Sequence, residues 1–191
     1  MSRIKNTLII LLIIALSVGT GWVYDTAAAA VLKKNYPREY NADVVNLAYE
    51  YSIPASVVYA SIKVRSNFNS ALVTDDGEVG LFRLSAAQYF ALAGDDGDGV
   101  INPGLLYEPK TSIRLGTKWI ASLYDKYGDW DAVYAAMYAG EEKVDGWLSG
   151  PSGSVSLCDD ETAQYVKTMN RAVARYLELY ETEETPILNT H

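Results

Sequence analysis

Apolar residues recur along this chain every three or four positions, broken by short polar stretches rich in glycine, aspartate and asparagine. That rhythm predicts a mostly helical body from Tyr36 to Tyr180. A first amphipathic segment runs from Asn41 to Tyr51. A second opens at Pro54, which suits a helix's first turn because its missing N–H would have no partner there, and continues to about Ser66. A polar loop containing TDDGEVG at 74–80 leads into a short helix near Ser85 to Leu92. The stretch GDDGDGVINPG at 94–104 reads as turn. Thr111 to Tyr127 is a long helix with Ile113, Gly116, Ile120, Leu123 and Tyr127 on one face; Gly128 stops it, and Asp129 caps WDAVYAAMYAG. A Gly/Ser/Pro loop at 149–154 precedes the last helix, opened by Asp159 or Asp160, with Val166, Met169, Val173, Leu177 and Tyr180 as its expected inward stripe.

The second helix carries one discordant residue. Projecting 57–65 at 100° per residue places Val57, Ser61, Val64, Val58 and Ile62 on one side. Arg65 falls inside that arc, whereas Lys63 points away and serves as an ordinary solvated charge. An inward arginine at a helix end either snorkels out or lines a cleft with a partner, and the second reading is preferred here.

Ahead of the body, Arg3 and Lys5 precede an uncharged run from Leu8 to Tyr24, LIILLIIALSVGTGWVY. A run of this length is at the short end of what crosses a bilayer as a helix. Trp22 and Tyr24 suit the outer interface, and the leading cations favour a cytoplasmic start. A cleaved signal peptide fits the same residues, with small side chains at 26–30, but the alanines also continue a helix well, and the uncleaved anchor is preferred. The net charge of −8 and pI near 4.6 argue against nucleic acid, whose phosphates demand a basic surface. Cys158 is the only cysteine, which excludes an intramolecular disulfide.

Four ordered stretches carry a resemblance. YASIKVRSNFNSALVTDDGEVGLFRLS resembles the signature of the soluble lytic transglycosylase (SLT) family of lysozyme-like domains, in which a helix ends in Glu-Ser-x-Phe-Asn and is followed by Gly-Ala-x-Gly-Leu-Met-Gln. LYEPKTSIRLGTKWIASL, DWDAVYAAMYAG and ETAQYVKTM are similar to later motifs of that family, in the same order. The resemblance implies a mainly α, lysozyme-like (goose-type) transglycosylase domain over 36–180; the N-terminal residues place before it a cytoplasmic stub at 1–7, a transmembrane signal anchor at 8–24 and a juxtamembrane helix or linker at 25–35, and an acidic tail at 181–191 follows. Anchor and resemblance together imply a bacterial cell-wall setting: a single-pass membrane protein with its domain on the extracytoplasmic side, acting on peptidoglycan.

In that family one glutamic acid protonates the glycosidic oxygen and then acts as a base, a cycle that needs a group able both to donate and to accept a proton. Arg65 stands at its position. A guanidinium stays charged and accepts nothing, so it cannot replace the acid. Nearby, Phe82 and Arg83 stand where the family has Met-Gln, Met137 and Tyr138 where it has Tyr-Asn, and Glu78 where it has alanine. The resemblance therefore implies a degenerate site, a pseudoenzyme with no catalytic residue in the usual place. Its substrate groove would comprise Arg65, Ser66, Asn67, Glu78, Phe82, Arg83, Met137, Tyr138, Glu161 and Tyr165. Glu78 and Glu161 are the fallback acids for a relocated reaction, although neighbouring arginines favour the ionised form of a carboxyl. Arg65 is expected instead to pair with Glu78 or Glu161. Binding of glycan strands, or a scaffold role for cell-wall or division proteins, is the preferred function; an active lyase and a pure protein-interaction module are the alternatives. No cofactor is expected beyond a partial calcium loop, Asp96, Asp98, the Val100 carbonyl and Asn102, which lacks the first ligand and the closing glutamate of an EF-hand.

Overall fold

Helix α2 (Ala55–Ser66) is buried on nearly every side, its polar Ser56, Ser61, Arg65 and Ser66 included. The structure, a computed structural model, describes residues 30–94, 102–150, 154–155 and 158–184. It divides into Met1–Pro37 and Arg38–His191. In the first unit residues 30–35 are helical; the apolar run at 8–24 lies outside the described residues. Among the described residues no helix is long and apolar enough to cross a membrane.

The second unit is helical. Its elements are α1 (Asn41–Glu50), α2, α3 (Ala86–Ala93), a 3-10 turn (Pro103–Tyr107), α4 (Pro109–Tyr127), α5 (Trp130–Ala139), α6 (Glu141–Leu148) and α7 (Asp160–Glu184). The long α7 lies along α2 and α5, and α4 packs on α1, α3, α5 and the 3-10 turn. Tyr59 and Ala60 of α2 are as buried as Val57, Val58 and Ile62, while Val64 is only half-buried. The one-sided projection was too narrow because both α1 and α7 pack on this helix. Two of its buried hydroxyls are satisfied within the helix, Ser61 donating to the Val57 carbonyl at 2.8 Å and Ser66 to that of Ile62 at 3.0 Å, while the Tyr59 hydroxyl donates to Asn41 Oδ1 at 2.7 Å.

Most boundaries follow local chemistry. Ser85 and Gln88 form a reciprocal capping box at α3. Asp129 accepts from the Ala132 N–H at the start of α5, and Gly128 (φ 64°) ends α4. Asp159 opens α7 by accepting from both the N–H and the hydroxyl of Thr162, each at 2.8 Å. Two elements were not anticipated. The 3-10 turn occupies part of the stretch read as irregular, and α6 restarts after a break at Gly140 (φ 88°, ψ 155°), with Val144 its one buried residue. The α7 stripe also needs correction. Over 160–180 its buried residues are Thr162, Met169, Ala172, Tyr176 and Tyr180; Val166 and Val173 are half-buried and Leu177 is exposed. Tyr176 turns inward because its ring stacks on Tyr59 at 5.3 Å, a contact that aliphatic periodicity does not reveal.

Between α2 and α3 the chain makes a compact plug. Asn67 and Phe68 both adopt left-handed backbone (φ 51° and 63°), turning Phe68 back into the core. Antiparallel bridges join Val73 to Val79 and Val79 to Leu84. The side chains of Leu81, Phe82 and Leu84 are fully buried. Gly80 (φ 78°) passes so close to the Leu106 carbonyl that a Cβ would sit 2.2 Å from its oxygen, and the Phe82 ring lies where a Cβ on Gly116 would be, 2.1 Å away. Gly116→Ala is therefore expected to lower stability by about 1–3 kcal/mol through overpacking, measured by urea unfolding; an unchanged midpoint would show that the plug shifts freely.

Candidate functional site

The backbone of the plug meets the end of α2 through the carbonyls of Phe82 and Arg83. Arg65 occupies the last turn of that helix with its side chain only 5% exposed. Its guanidinium donates from Nε to the Phe82 carbonyl, from Nη2 to the Arg83 carbonyl at 2.9 Å and from Nη1 to the Met137 carbonyl at 2.9 Å. The acceptors are available for definite reasons. Arg83 sits at φ 50°, which swings the end of the plug around. Met137 lies in the last turn of α5, where helix carbonyls lack intrahelical donors and carry the negative end of the helix dipole. Trp119 of α4 places its ring 5.2 Å from the Arg65 Cζ, a cation–π distance. The preferred inward reading of Arg65 holds. Its main partners, however, are carbonyls rather than a carboxylate.

Glu78 completes the cluster. One of its oxygens is 3.9 Å from Arg65 Nη2, while the other takes two contacts from Arg83, 3.0 Å to Nη2 and 3.1 Å from Nε. Glu78 thus belongs chiefly to Arg83, and the expected Arg65–Glu78 pair is the looser of the two. Glu161 does not supply Arg65's partner in any described contact; it accepts from the Tyr138 hydroxyl at 3.3 Å.

Two clefts open over this cluster and share Arg65, Glu78, Met137, Tyr138 and Ala139 as lining. One, of about 540 Å³, runs toward Gln88, Leu92, Trp119, Ser122 and Glu141. The other, of about 730 Å³, runs toward Asp76, Arg83, Lys143, Glu161 and Tyr165. Tyr138, 48% exposed, stands at the junction with its ring stacked on Tyr165 at 4.9 Å. The neighbouring Glu161 carboxylate raises the pKa of the Tyr138 hydroxyl above the ordinary tyrosine value, because phenolate would be a like charge. On the rim, Lys126 of α4 holds α6 through Glu141 at 2.8 Å and Asp145 at 2.9 Å, and its proximity lowers the pKa of Asp145.

Several expected groove residues are placed elsewhere. The Phe82 ring is in the core and only its carbonyl reaches the site. The Ser66 hydroxyl turns back to its own helix, and Asn67, exposed at the helix end, accepts from Lys63 at 2.5 Å. Arg83, Met137, Tyr138, Glu161 and Tyr165 do line the clefts. Sequence reasoning missed Trp119, Gln88 and Lys143; Trp119 sits three positions after Gly116 on α4, at the edge of the apolar stripe that was followed, and its spacing could have found it. Asp96, Asp98 and Val100 of the calcium loop lie outside the described residues. Asn102 is described, and its Oδ1 accepts from the Gly104 N–H at 2.9 Å as the cap of the 3-10 turn. Among the described residues no group of acidic, histidine or cysteine side chains gathers to hold a metal.

The Transglycosylase SLT domain matches residues 43–154, and the chain belongs to that family. Its mainly helical, lysozyme-like fold agrees with a solved structure of the 70 kDa soluble lytic transglycosylase of Escherichia coli, at a TM-score of 0.68 and 25% identity, covering 77% of this chain and 25% of that one. The soluble lytic murein transglycosylase of Escherichia coli (strain K12) is 26% identical over 152 residues, 72% of this chain and 23% of the relative. The membrane-bound lytic murein transglycosylase E of Buchnera aphidicola subsp. Acyrthosiphon pisum is 26% identical over 98 residues, 49% of this chain and 43% of the relative. The chain thus spans about a quarter of the length of the soluble relative.

Removing Arg65 strands buried acceptors beside a carboxylate. Arg65→Ala is expected to cost about 3–5 kcal/mol, whereas Glu78→Gln, which breaks a partly exposed pair, costs about 1 kcal/mol or less. Urea unfolding of both variants checks the order; equal costs would place the stability in the ion pair rather than in the carbonyls. Separately, Glu161→Gln should shift the ionisation of Tyr138 down toward the ordinary tyrosine value, followed through its Cζ chemical shift at alkaline pH.

Proposed function

We propose that this chain is a peptidoglycan-binding member of its family that no longer cleaves glycan, held at the bacterial membrane with its domain on the extracytoplasmic side. The carrying observation is Arg65, which stands where the family resemblance puts the acid and whose N–H groups are directed at backbone carbonyls. A proton-transfer cycle has no donor and acceptor there. Glu78, the carboxylate beside it, is engaged by Arg83 on one oxygen and approached by Arg65 on the other, which leaves it poorly placed to take over. Recognition, in contrast, is well supported. The exposed Tyr138 ring offers a stacking face for a sugar, and Gln88, Lys143 and Glu161 offer hydrogen bonds along the clefts. The apolar run at 8–24 with Arg3 and Lys5 before it supports the anchor, as does the name of the membrane-bound relative.

Incubating the detergent-solubilised full chain with purified sacculi is expected to pellet the protein with the cell wall while releasing no anhydromuropeptides detectable by mass spectrometry. Release that persists in Arg65→Ala but is lost in Glu78→Ala or Glu161→Ala would falsify the loss of chemistry and identify a relocated acid. Absence of co-sedimentation would move the function to a scaffold for cell-wall or division proteins.

A further inference from the structure

The groups around Arg65 have a chemistry of their own. Its three carbonyl partners come from two separate segments, the plug and the end of α5, and meet different nitrogens of one planar group. An indole lies at 5.2 Å from the Cζ, and a carboxylate approaches one Nη at 3.9 Å. Several acceptors spread around the edge, an aromatic ring nearby and a negative charge at the side match a delocalised planar cation. They do not match a compact ammonium, which presents its donors from a single nitrogen. They match a carboxylate least, since every one of the oxygens would face another oxygen.

The geometry points to a guanidinium-selective cage, built by the plug and the end of α5, in which Arg65 is the resident ligand. This deepens the reading of a lost active site but does not depend on it, because the cage is defined by its acceptors and not by any reaction. Two consequences follow from the same oxygens. Restoring the acid by Arg65→Glu does not restore glycan cleavage, because the backbone around the position now selects a cation. Emptying the cage by Arg65→Ala creates a binding site for a small alkylguanidinium, of which ethylguanidinium replaces the deleted atoms.

The test uses the full chain in detergent, with thermal unfolding followed by tryptophan fluorescence. Ethylguanidinium is expected to raise the Tm of Arg65→Ala, increasing with the logarithm of its concentration as for a ligand that binds only the folded state. Ethylammonium at equal concentration should leave that Tm unchanged, and neither compound should stabilise the unsubstituted chain. Arg65→Lys should melt below the unsubstituted chain, and Arg65→Glu below Arg65→Gln. Equal responses to the two cations, or Arg65→Glu as stable as Arg65→Gln, would overturn the cage. Should Arg65→Ala fail to fold, nitrogen NMR of the unsubstituted chain decides instead. Held in the cage, the Nη protons of Arg65 give separate, slowly exchanging signals that are absent from Arg65→Lys; rapid rotation and exchange at Arg65 would reject it. Activity readings separate the two ideas: anhydromuropeptide release by the unsubstituted chain would refute the proposed function and leave the cage standing, whereas release by Arg65→Glu alone would refute the cage.

Discussion

The contact on which the groove depends is a buried guanidinium bonded to backbone carbonyls contributed by elements far apart in the chain. Arg65 reaches the plug seventeen and eighteen positions ahead and the end of α5 seventy-two positions ahead. Burying a charge is costly unless it is both hydrogen-bonded and compensated. Here the compensation comes from helix-end and turn carbonyls, with a carboxylate only at the edge. The plug is in turn fixed from behind by the Phe82 ring on Gly116 and by Gly80 against the Leu106 carbonyl. Core packing and groove geometry are therefore two faces of one short segment, residues 79–84.

That arrangement separates two inheritances. The fold of the family persists because its glycines, caps and buried rings serve packing, and packing does not require chemistry. The groove persists as well, with Tyr138 exposed at its centre and charged residues of both signs along one half. The group at the end of α2 is an arginine, and its surroundings are matched to it: each of three backbone carbonyl oxygens faces one of its nitrogens.

Much of this was legible in the sequence, and the failures are instructive. The helix starts at Ser85, Asp129 and Asp159 follow from side chains that bond their own backbone, so local reading found them. Arg65 was placed inward correctly by its spacing from Ile62 and Val58. Its partners were not legible, because a carbonyl belongs to every residue and carries no signature in the one-letter code. Acidic residues were the natural guess, and Glu78 is close but chiefly Arg83's partner. Phe82 was assigned to the groove because it stands where the resembled family has the Met of Met-Gln, yet its ring fills the space left by Gly116 on α4. The inward turn of Tyr176 likewise depends on a ring of α2 that no window along α7 contains.

The two boundaries of the groove are held by unlike forces. Its floor is buried and bonded to backbone, where dissolved ions have little influence, while α6 on the rim is tied to Lys126 by exposed pairs that mobile ions screen over about 8 Å at physiological strength. Val144 is the single buried anchor of that helix, and the Gly140 break precedes it. The groove thus has one wall held by buried backbone contacts and one held by exposed ion pairs that added salt weakens.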